Sequence, residues 1–311
     1  MYKLNFIIII IILLYIQLSN SQSYTTFLIH GIASKANELI ELETYLINIG
    51  LNAISLELRN DPKTSYKLDL DKQCKLYYEK ILNIVNTKKI NLIGISQGGL
   101  IARCIVEKYN NNNILISNLI TIASPNMGIY YSNINNYLDF NLIFNRNFNL
   151  NFSIESVNKE NTFAITIQEY WKDPFNYDKY LTQHKFITLL NNEEYHINYN
   201  KYKNNIKALD TFTTIWSNLD TVIIPKESSK FSFYNITTVI NLKKLELYNL
   251  KNTNWYINDN LGLKYLELNN KYETVMIPCI HNEFKLYKCF INVKNNNNET
   301  LFDIIKSKLM N

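Results

Sequence analysis

A serine, an aspartate and a histidine in an order suited to nucleophilic catalysis stand out in this chain, beginning with Ser96. It is the centre of Gly94-Ile95-Ser96-Gln97-Gly98, between an apolar run at residues 90–93 and a helical pattern at residues 100–106. Gly-x-Ser-x-Gly between a strand and a helix predicts a sharp turn that strains the serine backbone and displays its hydroxyl. We therefore expect Ser96 to be displayed and to act as a nucleophile. The alternative is an ordinary glycine-containing turn.

A serine at such a turn needs a general base, and the chain has four histidines, His30, His184, His196 and His281. In this architecture the base follows the serine and the acid along the chain. His281 comes after a strand-like run at residues 274–277 and before the last helical pattern, so it is the expected base, with a structural histidine as the alternative. His30 precedes the serine and is expected to pack beneath the loop after the first strand.

The acid that orients the base should lie in the loop after an earlier strand. Asp220 follows a strand-like run at residues 211–216 and is the candidate, although an aspartate there could simply form a turn. Asp210 and Asp259 fit solvated or capping positions better. Backbone N–H groups must also stabilise the oxyanion, and we expect these from Gln97, directly after the serine, and from Ile32, where Gly31 lets the chain turn back.

The elements that would position these residues alternate between strands and helices. Strand-like runs occur at residues 25–29, 52–56, 90–95, 119–123, 211–216 and 274–277, and helical patterns at residues 37–49, 68–86, 99–109 and 300–310. This alternation predicts an α/β fold, a mostly parallel sheet with helices on both faces. A brief period-two pattern within residues 243–269 suggests an added hairpin and turn.

The alternation is lost between residues 127 and 209, which predicts an insertion at about residues 128–209, acting as a lid or acyl groove above the carboxyl ends of the strands. Its apolar residues could line a trough for a long acyl chain or form only the insertion's own core. They are Leu138, Phe140, Leu142, Ile143, Phe144, Phe148, Leu150 and Phe152.

The amino-terminal residues and the overall charge bear on location and partners. An apolar stretch at residues 6–18 followed by Ser19-Asn20-Ser21 predicts a signal peptide at residues 1–21, with an uncleaved anchor as the alternative. Residues 22–311 are expected to form a single catalytic domain without a stable membrane span. The net charge of +5 is scattered along the chain, which does not indicate nucleic-acid binding.

Four cysteines in a secreted chain suggest two disulfides, and four cysteines allow three pairings. Our hypothesis joins Cys74 with Cys104, on helical patterns that should be neighbours, and Cys279 with Cys289, on either side of His281. A zinc site from Cys279, His281 and Cys289 lacks a convincing fourth ligand and would consume the only suitable base. Glycosylation sequons begin at Asn151, Asn235 and Asn298, compatible with a glycoprotein.

Five segments carry a family resemblance: residues 94–100 with Arg103-Cys104, residues 123–128, Tyr170-Trp171-Lys172-Asp173-Pro174, residues 220–225 with residues 231–234, and residues 260–264. Through them the chain resembles the lysosomal palmitoyl-protein thioesterases, and is closer to the second of two lysosomal isoforms. The resemblance implies the α/β-hydrolase fold with Ser96, Asp220 and His281 on the family's triad positions.

The resemblance also implies a serine hydrolase that cleaves thioester-linked long-chain fatty acyl groups. Its substrates would be S-acylated proteins, peptides or acyl coenzyme A, in the lysosome or after secretion, and no cofactor or metal is expected. A carboxylester lipase or esterase uses the same three residues and is the first alternative. A non-catalytic lipid-binding protein on the same fold is the second.

Overall fold

The protein is described here by a computed structural model covering residues 24–110, 113–130, 138–139, 151–152, 165–239, 242–292 and 298–310. The expected signal peptide at residues 1–21 lies outside these residues, and so does most of the apolar stretch expected to form a trough. Within the described ranges, no helix combines the length and the apolar character that crossing a bilayer requires.

The described strands are, in chain order, β1 (Thr25–Ile29), β2 (Asn52–Leu56), β3 (Lys89–Ile95), β4 (Leu115–Ile122), β5 (Leu138–Asp139), β6 (Asn151–Phe152), β7 (Thr211–Trp216), β8 (Phe233–Val239), β9 (Leu242–Tyr248), β10 (Tyr272–Met276), β11 (Phe290–Asn292) and β12 (Asn298–Thr300). Six of them form one sheet in the order β10-β7-β4-β3-β1-β2. Every neighbouring pair in this sheet is parallel. The other six form three antiparallel pairs, β5 with β6, β8 with β9 and β11 with β12.

The described helices are α1 (Ile40–Asn48), α2 (Thr64–Lys67), α3 (Leu70–Ile84), α4 (Gln97–Tyr109), α5 (Ile165–Glu169), α6 (Tyr177–Gln183), α7 (Lys185–Leu190), α8 (Tyr199–Lys207), α9 (Asn254–Ile257), α10 (Leu263–Leu268) and α11 (Leu301–Met310). Short 3₁₀ turns occupy Ala36–Leu39, Pro174–Asn176, Lys226–Lys230, Leu250–Asn252 and His281–Lys285.

Alternate residues of the sheet strands face two separate cores. In β1, Phe27 and Ile29 pack with residues of α3 and α4, whereas Leu28 packs with residues of α1 and α11. A parallel sheet covered on both sides must be apolar on both faces. This explains why the sequences of its strands are nearly continuous apolar runs. The predicted α/β architecture, a parallel sheet with helices on both faces, is therefore confirmed.

The structure departs from the sequence-based expectations outside this sheet. The part of residues 243–269 that was expected to form a hairpin contributes only one strand, β9, which pairs with β8 ahead of it. After Tyr248 the chain forms short helices. The Thr253 side chain accepts a hydrogen bond from the Tyr256 N–H and so caps α9, and Gly262, with a φ of 94°, is the N-cap residue of α10. The segment without alternation also contains helices, α5 to α8, in its described part.

A fully buried arginine ties this helical segment to the sheet. Arg103 of α4 pairs with Glu107 through Nε and Oε1 at 3.0 Å. Its other guanidinium nitrogens donate to the Asn126 carbonyl at 2.9 Å, the Asn191 Oδ1 at 2.8 Å and the Leu190 carbonyl at 3.2 Å. A buried cation is tolerated only with such partners, so Arg103 joins the loop after β4 and the end of α7 to α4.

Both predicted disulfides are confirmed. Cys74 and Cys104 join α3 to α4 with Cα atoms 6.0 Å apart. Cys279 and Cys289 join the two ends of the segment that carries His281, with Cα atoms 5.7 Å apart. Their thiols are consumed in this bond, so neither is a thiolate ligand for zinc.

Candidate active site

The turn between β3 and α4 holds Ser96 in an uncommon conformation. Its φ of 54° and ψ of −128° lie outside the regions that residues with a Cβ ordinarily adopt, and its N–H donates to the Ile122 carbonyl at 2.8 Å. The flanking glycines are sterically required. A Cβ on Gly94 would lie 2.3 Å from the Gly98 carbonyl oxygen, and a Cβ on Gly98 would lie 2.2 Å from the Ile29 carbonyl oxygen. The strand and helix can approach this closely only with glycine at both positions.

The sequence-based expectation that Ser96 is displayed was wrong. Ser96 is 8% exposed, because residues 31–39 and 281–285 close over it. Ser96 lines a cavity of about 60 Å³ whose other lining residues include Gly31, Ile32 and His281. The serine is therefore accessible through a small, partly open space.

His281 and Asp220 meet at the carboxyl ends of neighbouring strands, β10 and β7. His281 Nδ1 lies 2.8 Å from Asp220 Oδ2, and the Asp220 side chain is 1% exposed. The second oxygen, Oδ1, accepts from the Val222 N–H at 2.8 Å and the Ile223 N–H at 3.1 Å. Because its own loop holds the carboxylate on one side, the other oxygen has a fixed direction toward the imidazole. His281 also lines the cavity that Ser96 lines.

The two backbone groups expected to stabilise an oxyanion have no hydrogen-bond partner among the described residues. Neither the Gln97 N–H nor the Ile32 N–H donates a hydrogen bond to any residue that the structure describes. Ile32 lines the Ser96 cavity, and Gln97 follows Ser96 as the first residue of α4. Unpaired amides beside a nucleophile can stabilise negative charge on a reacting oxygen.

The other three histidines lie elsewhere. His30 is 3% exposed and its Nε2 contacts Tyr77 Oη at 3.0 Å and Glu57 Oε1 at 3.2 Å. His184 Nδ1 contacts the Gln168 carbonyl, and His196 Nε2 contacts Asn192 Oδ1 at 2.8 Å. Of the four, His281 is the histidine that lines the Ser96 cavity in the described part of the chain.

Asp210 and Asp259, the two aspartates considered beside Asp220, do not contact His281 and have other partners. Asp210 lies before β7, with a side chain 55% exposed and 3.7 Å from Lys89 Nζ. Asp259 accepts from the Lys264 N–H at 3.0 Å near the start of α10 and pairs with Lys203 at 3.7 Å. Neither carboxylate contacts a histidine within the described ranges.

Sequence reasoning missed the ion pair at the cavity and the side chains that hold its loop. Glu38 and Lys285 both line the cavity and their charged groups are in contact. Glu57 and Ser65 lie behind the loop and accept hydrogen bonds from its backbone. No local spacing could reveal these pairs, because their members are 247, 21 and 32 residues apart in the chain.

A second and larger cavity, about 560 Å³, shares none of its lining residues with the Ser96 cavity. Aromatic rings of Tyr177, Phe233 and Trp255 line it together with the ion pair between Lys172 and Glu193, whose Nζ and Oε2 are 2.8 Å apart. The side chains of the residues expected to form an acyl trough lie outside the described part of the chain.

Similarity to known proteins extends along most of the chain. The sequence model of a family described as palmitoyl protein thioesterase matches residues 25–281. The chain is similar to palmitoyl-protein thioesterase 3 of Dictyostelium discoideum, with 28% identity over 261 residues that cover 82% of this chain and 84% of the relative. It is similar to lysosomal thioesterase PPT2-B of Xenopus laevis, with 30% identity over 260 residues that cover 82% of this chain and 85% of the relative. A carboxylesterase structure from Nitrososphaera gargenis has 11% identity and a TM-score of 0.44, with 85% of each chain covered.

Proposed function

The chain belongs to the palmitoyl protein thioesterase family, and from this premise we propose that Ser96, His281 and Asp220 carry out thioester hydrolysis. Membership makes the protein a hydrolase that acts on thioesters. The observation that supports these roles is a single arrangement. Ser96, on a strained turn, lines the same cavity as His281, whose Nδ1 is 2.8 Å from Asp220 Oδ2.

In the proposed mechanism His281 Nε2 takes the Ser96 proton while the serine oxygen attacks the thioester carbonyl carbon. The Gln97 and Ile32 N–H groups stabilise the oxyanion that forms on the carbonyl oxygen. The C–S bond then breaks, and His281 Nε2 gives its proton to the departing sulfur, so that a thiol leaves, an acyl-serine remains and the imidazole is neutral again. A thiol has a pKa of about 8.5, so its thiolate needs little protonation to leave. Water deprotonated by His281 attacks the acyl-serine and releases the carboxylic acid.

The proposed substrates are long-chain fatty acyl thioesters, either on S-acylated proteins and peptides or on acyl coenzyme A. The proposed location is the lysosome or the secretory route. The name of the Xenopus laevis relative and the expected signal peptide support this location. The two disulfides also suit an oxidising compartment.

Replacing Ser96 by Ala tests the proposal. We expect thiol release from a palmitoyl thioester to fall to the background rate, because no other group can form the acyl intermediate, while the melting temperature stays close to that of the wild type. Turnover retained in a folded Ser96→Ala variant would contradict the role of Ser96.

A parallel assay distinguishes the carboxylester alternative. The same acyl group is offered as a thioester and as an oxygen ester, and kcat/KM is measured for both. A clear preference for the thioester supports the proposed substrate class, whereas a preference for the oxygen ester contradicts it. Labelling of Ser96 by a fluorophosphonate distinguishes a catalytic protein from a non-catalytic lipid-binding one.

A further inference from the structure

The loop after β1, residues 31–36, carries the Ile32 N–H and adopts a conformation that needs outside support. Ala33 has a φ of 52°, in the left-handed region that costs a residue with a Cβ on the order of 1 kcal/mol. Such conformations persist only when the surrounding structure holds them in place. The direction of the Ile32 N–H depends on this neighbouring residue, because both share one short turn.

Ser65, in α2, supplies the support next to Ile32. The Ala33 N–H donates to Ser65 Oγ at 2.7 Å, and Ser65 Oγ in turn donates to the Pro62 carbonyl at 2.6 Å. Ser65 is 5% exposed and is not among the residues that line the Ser96 cavity. Its hydroxyl therefore accepts from the loop, with its own proton already directed elsewhere, and does not reach a bound substrate.

The Ser65 carbonyl supports the other proposed oxyanion donor. It accepts from Gln97 Nε2 at 2.5 Å and from Gln73 Nε2 at 3.1 Å. Gln97 follows the nucleophile, so its side chain is anchored to the same residue that holds Ala33. One buried serine thus contacts both parts of the chain whose N–H groups would meet the oxyanion.

The far end of the loop is fixed separately. The Ala36 N–H donates to Glu57 Oε2 at 2.8 Å, and Glu57 Oε1 lies 3.2 Å from His30 Nε2. With this end anchored by Glu57, losing the Ser65 hydroxyl would free the turn at Ala33 without detaching the whole loop. The effect of Ser65 should therefore be local to the Ile32 N–H.

We propose that Ser65 is a positioning residue for the oxyanion hole, aiming the Ile32 N–H through its hydroxyl and anchoring Gln97 through its carbonyl. This inference rests on the proposed function of Ser96. Removing an oxyanion donor costs on the order of a hundredfold to a thousandfold in kcat, and misaligning one donor should cost less, about tenfold.

The test compares Ser65→Ala with Ser55→Ala. Ser55 is a matched control, because its Oγ is also buried but has no hydrogen-bond partner in the described part of the chain. For Ser65→Ala we expect kcat on a palmitoyl thioester to fall about tenfold with KM changed less than about twofold. Ser55→Ala should leave both constants at wild-type values.

Two ligands separate positioning from general loosening. A long-chain trifluoromethyl ketone adds to the serine and places an oxyanion in the hole, whereas the neutral alcohol 1-hexadecanol carries no negative oxygen. Ser65→Ala should bind the ketone about tenfold more weakly and 1-hexadecanol with unchanged affinity. Unchanged kcat and ketone affinity, or equal losses for ketone and alcohol, would overturn the inference.

Should Ser65→Ala fail to fold, Ser65→Cys keeps nearly the same volume with a weaker hydrogen-bonding group. We expect its losses of kcat and of ketone affinity to be smaller than those predicted for Ser65→Ala and equal to each other. A folded Cys variant with wild-type kcat and ketone affinity overturns the inference. If the wild-type protein neither hydrolyses the thioester nor adds the ketone, the proposed function and this inference are both overturned. If the wild type is active and the Ser65 variant has the same kcat and ketone affinity, this inference alone is overturned.

Discussion

At the residue scale, the two oxygens of the Asp220 carboxylate have different hydrogen-bond partners. One accepts from two backbone N–H groups of its own loop, and the other contacts His281 Nδ1. An imidazole held this way keeps its Nδ1 protonated, so that its Nε2 is free to accept a proton. The carboxylate therefore fixes both the orientation and the tautomer that the proposed base needs.

Asp220→Asn tests this arrangement. An amide in place of the carboxylate favours the wrong tautomer of His281, so kcat for thioester hydrolysis should fall by a factor on the order of 10⁴ with little change in stability. Asp210→Asn is the control, because that carboxylate is exposed and should be dispensable. A loss of kcat in the Asp210 variant and none in the Asp220 variant would contradict the assignment.

The sequence alone was enough to select the candidate residues, since strand, turn and helix patterns place each one relative to a strand end. It could not predict how deeply Ser96 lies, because burial depends on two loops that are distant from it in the chain and cover it. Ser65 and Glu57 were missed for a related reason. Their hydrogen bonds to the loop after β1 follow no periodicity, and serine and glutamate are common on surfaces.

At the scale of elements, both disulfides should stabilise the fold, but only one of them should affect the position of His281. Cys279 and Cys289 close a separation of 10 residues that includes His281, whereas Cys74 and Cys104 close a separation of 30 between two helices. Each closure is expected to stabilise the fold by about 3 kcal/mol. Only the first constrains the position of the proposed base.

We therefore predict that the double variant Cys279→Ser with Cys289→Ser loses about 3 kcal/mol of stability and also several-fold in kcat. The matched double variant Cys74→Ser with Cys104→Ser should lose a similar free energy of unfolding and keep its kcat. Urea denaturation and thioester kinetics measure the two effects. Equal kcat values for the two double variants would show that the disulfide near His281 has no role in placing it.

The sheet strands could be predicted because each is a short apolar run between polar turns. The short helices α5 to α8 could not, since a stretch of five to nine residues is not stable alone and carries too few turns for a clear periodicity. Their stability comes from tertiary contacts such as those of Arg103 with Leu190 and Asn191. Arg103 is part of the motif that follows the Ser96 turn, but these two partners lie 87 and 88 residues away in the chain.

At the scale of the whole molecule, one partly buried carboxyl should make stability depend on pH. Glu169 Oε2 accepts from the Leu70 N–H at 2.7 Å at the start of α3. Burial raises the pKa of Glu169 to about 8, against the opposing effect of that hydrogen bond, while Asp69 and Asp71 raise it further. The folded protein then holds a proton that the unfolded chain releases above its ordinary pKa of 4.5.

The sign follows from this difference. Between the two pKa values the folded state binds more protons, so the free energy of unfolding should fall as pH rises, by at most about 1.4 kcal/mol per pH unit. Glu169→Gln mimics the protonated form and should remove the part of this dependence that Glu169 causes, making the variant more stable than wild type near neutral pH and similar to it in acid. Urea denaturation across this range measures the effect, with the exposed Glu79→Gln on α3 as control. Parallel curves for wild type and Glu169→Gln would contradict the prediction.

The order of the sheet has a consequence for biosynthesis. After β1 and β2 have paired, β3 is added on the other side of β1, and β4, β7 and β10 are then each added beside the preceding strand of the sheet. A chain emerging from the ribosome can therefore extend its sheet strand by strand. The proposed nucleophile follows β3 early in this sequence, and the proposed base follows β10, the last strand to be laid down. A partly made polypeptide would thus carry the proposed nucleophile without the proposed base, and we expect it to hydrolyse no thioester until translation has passed His281.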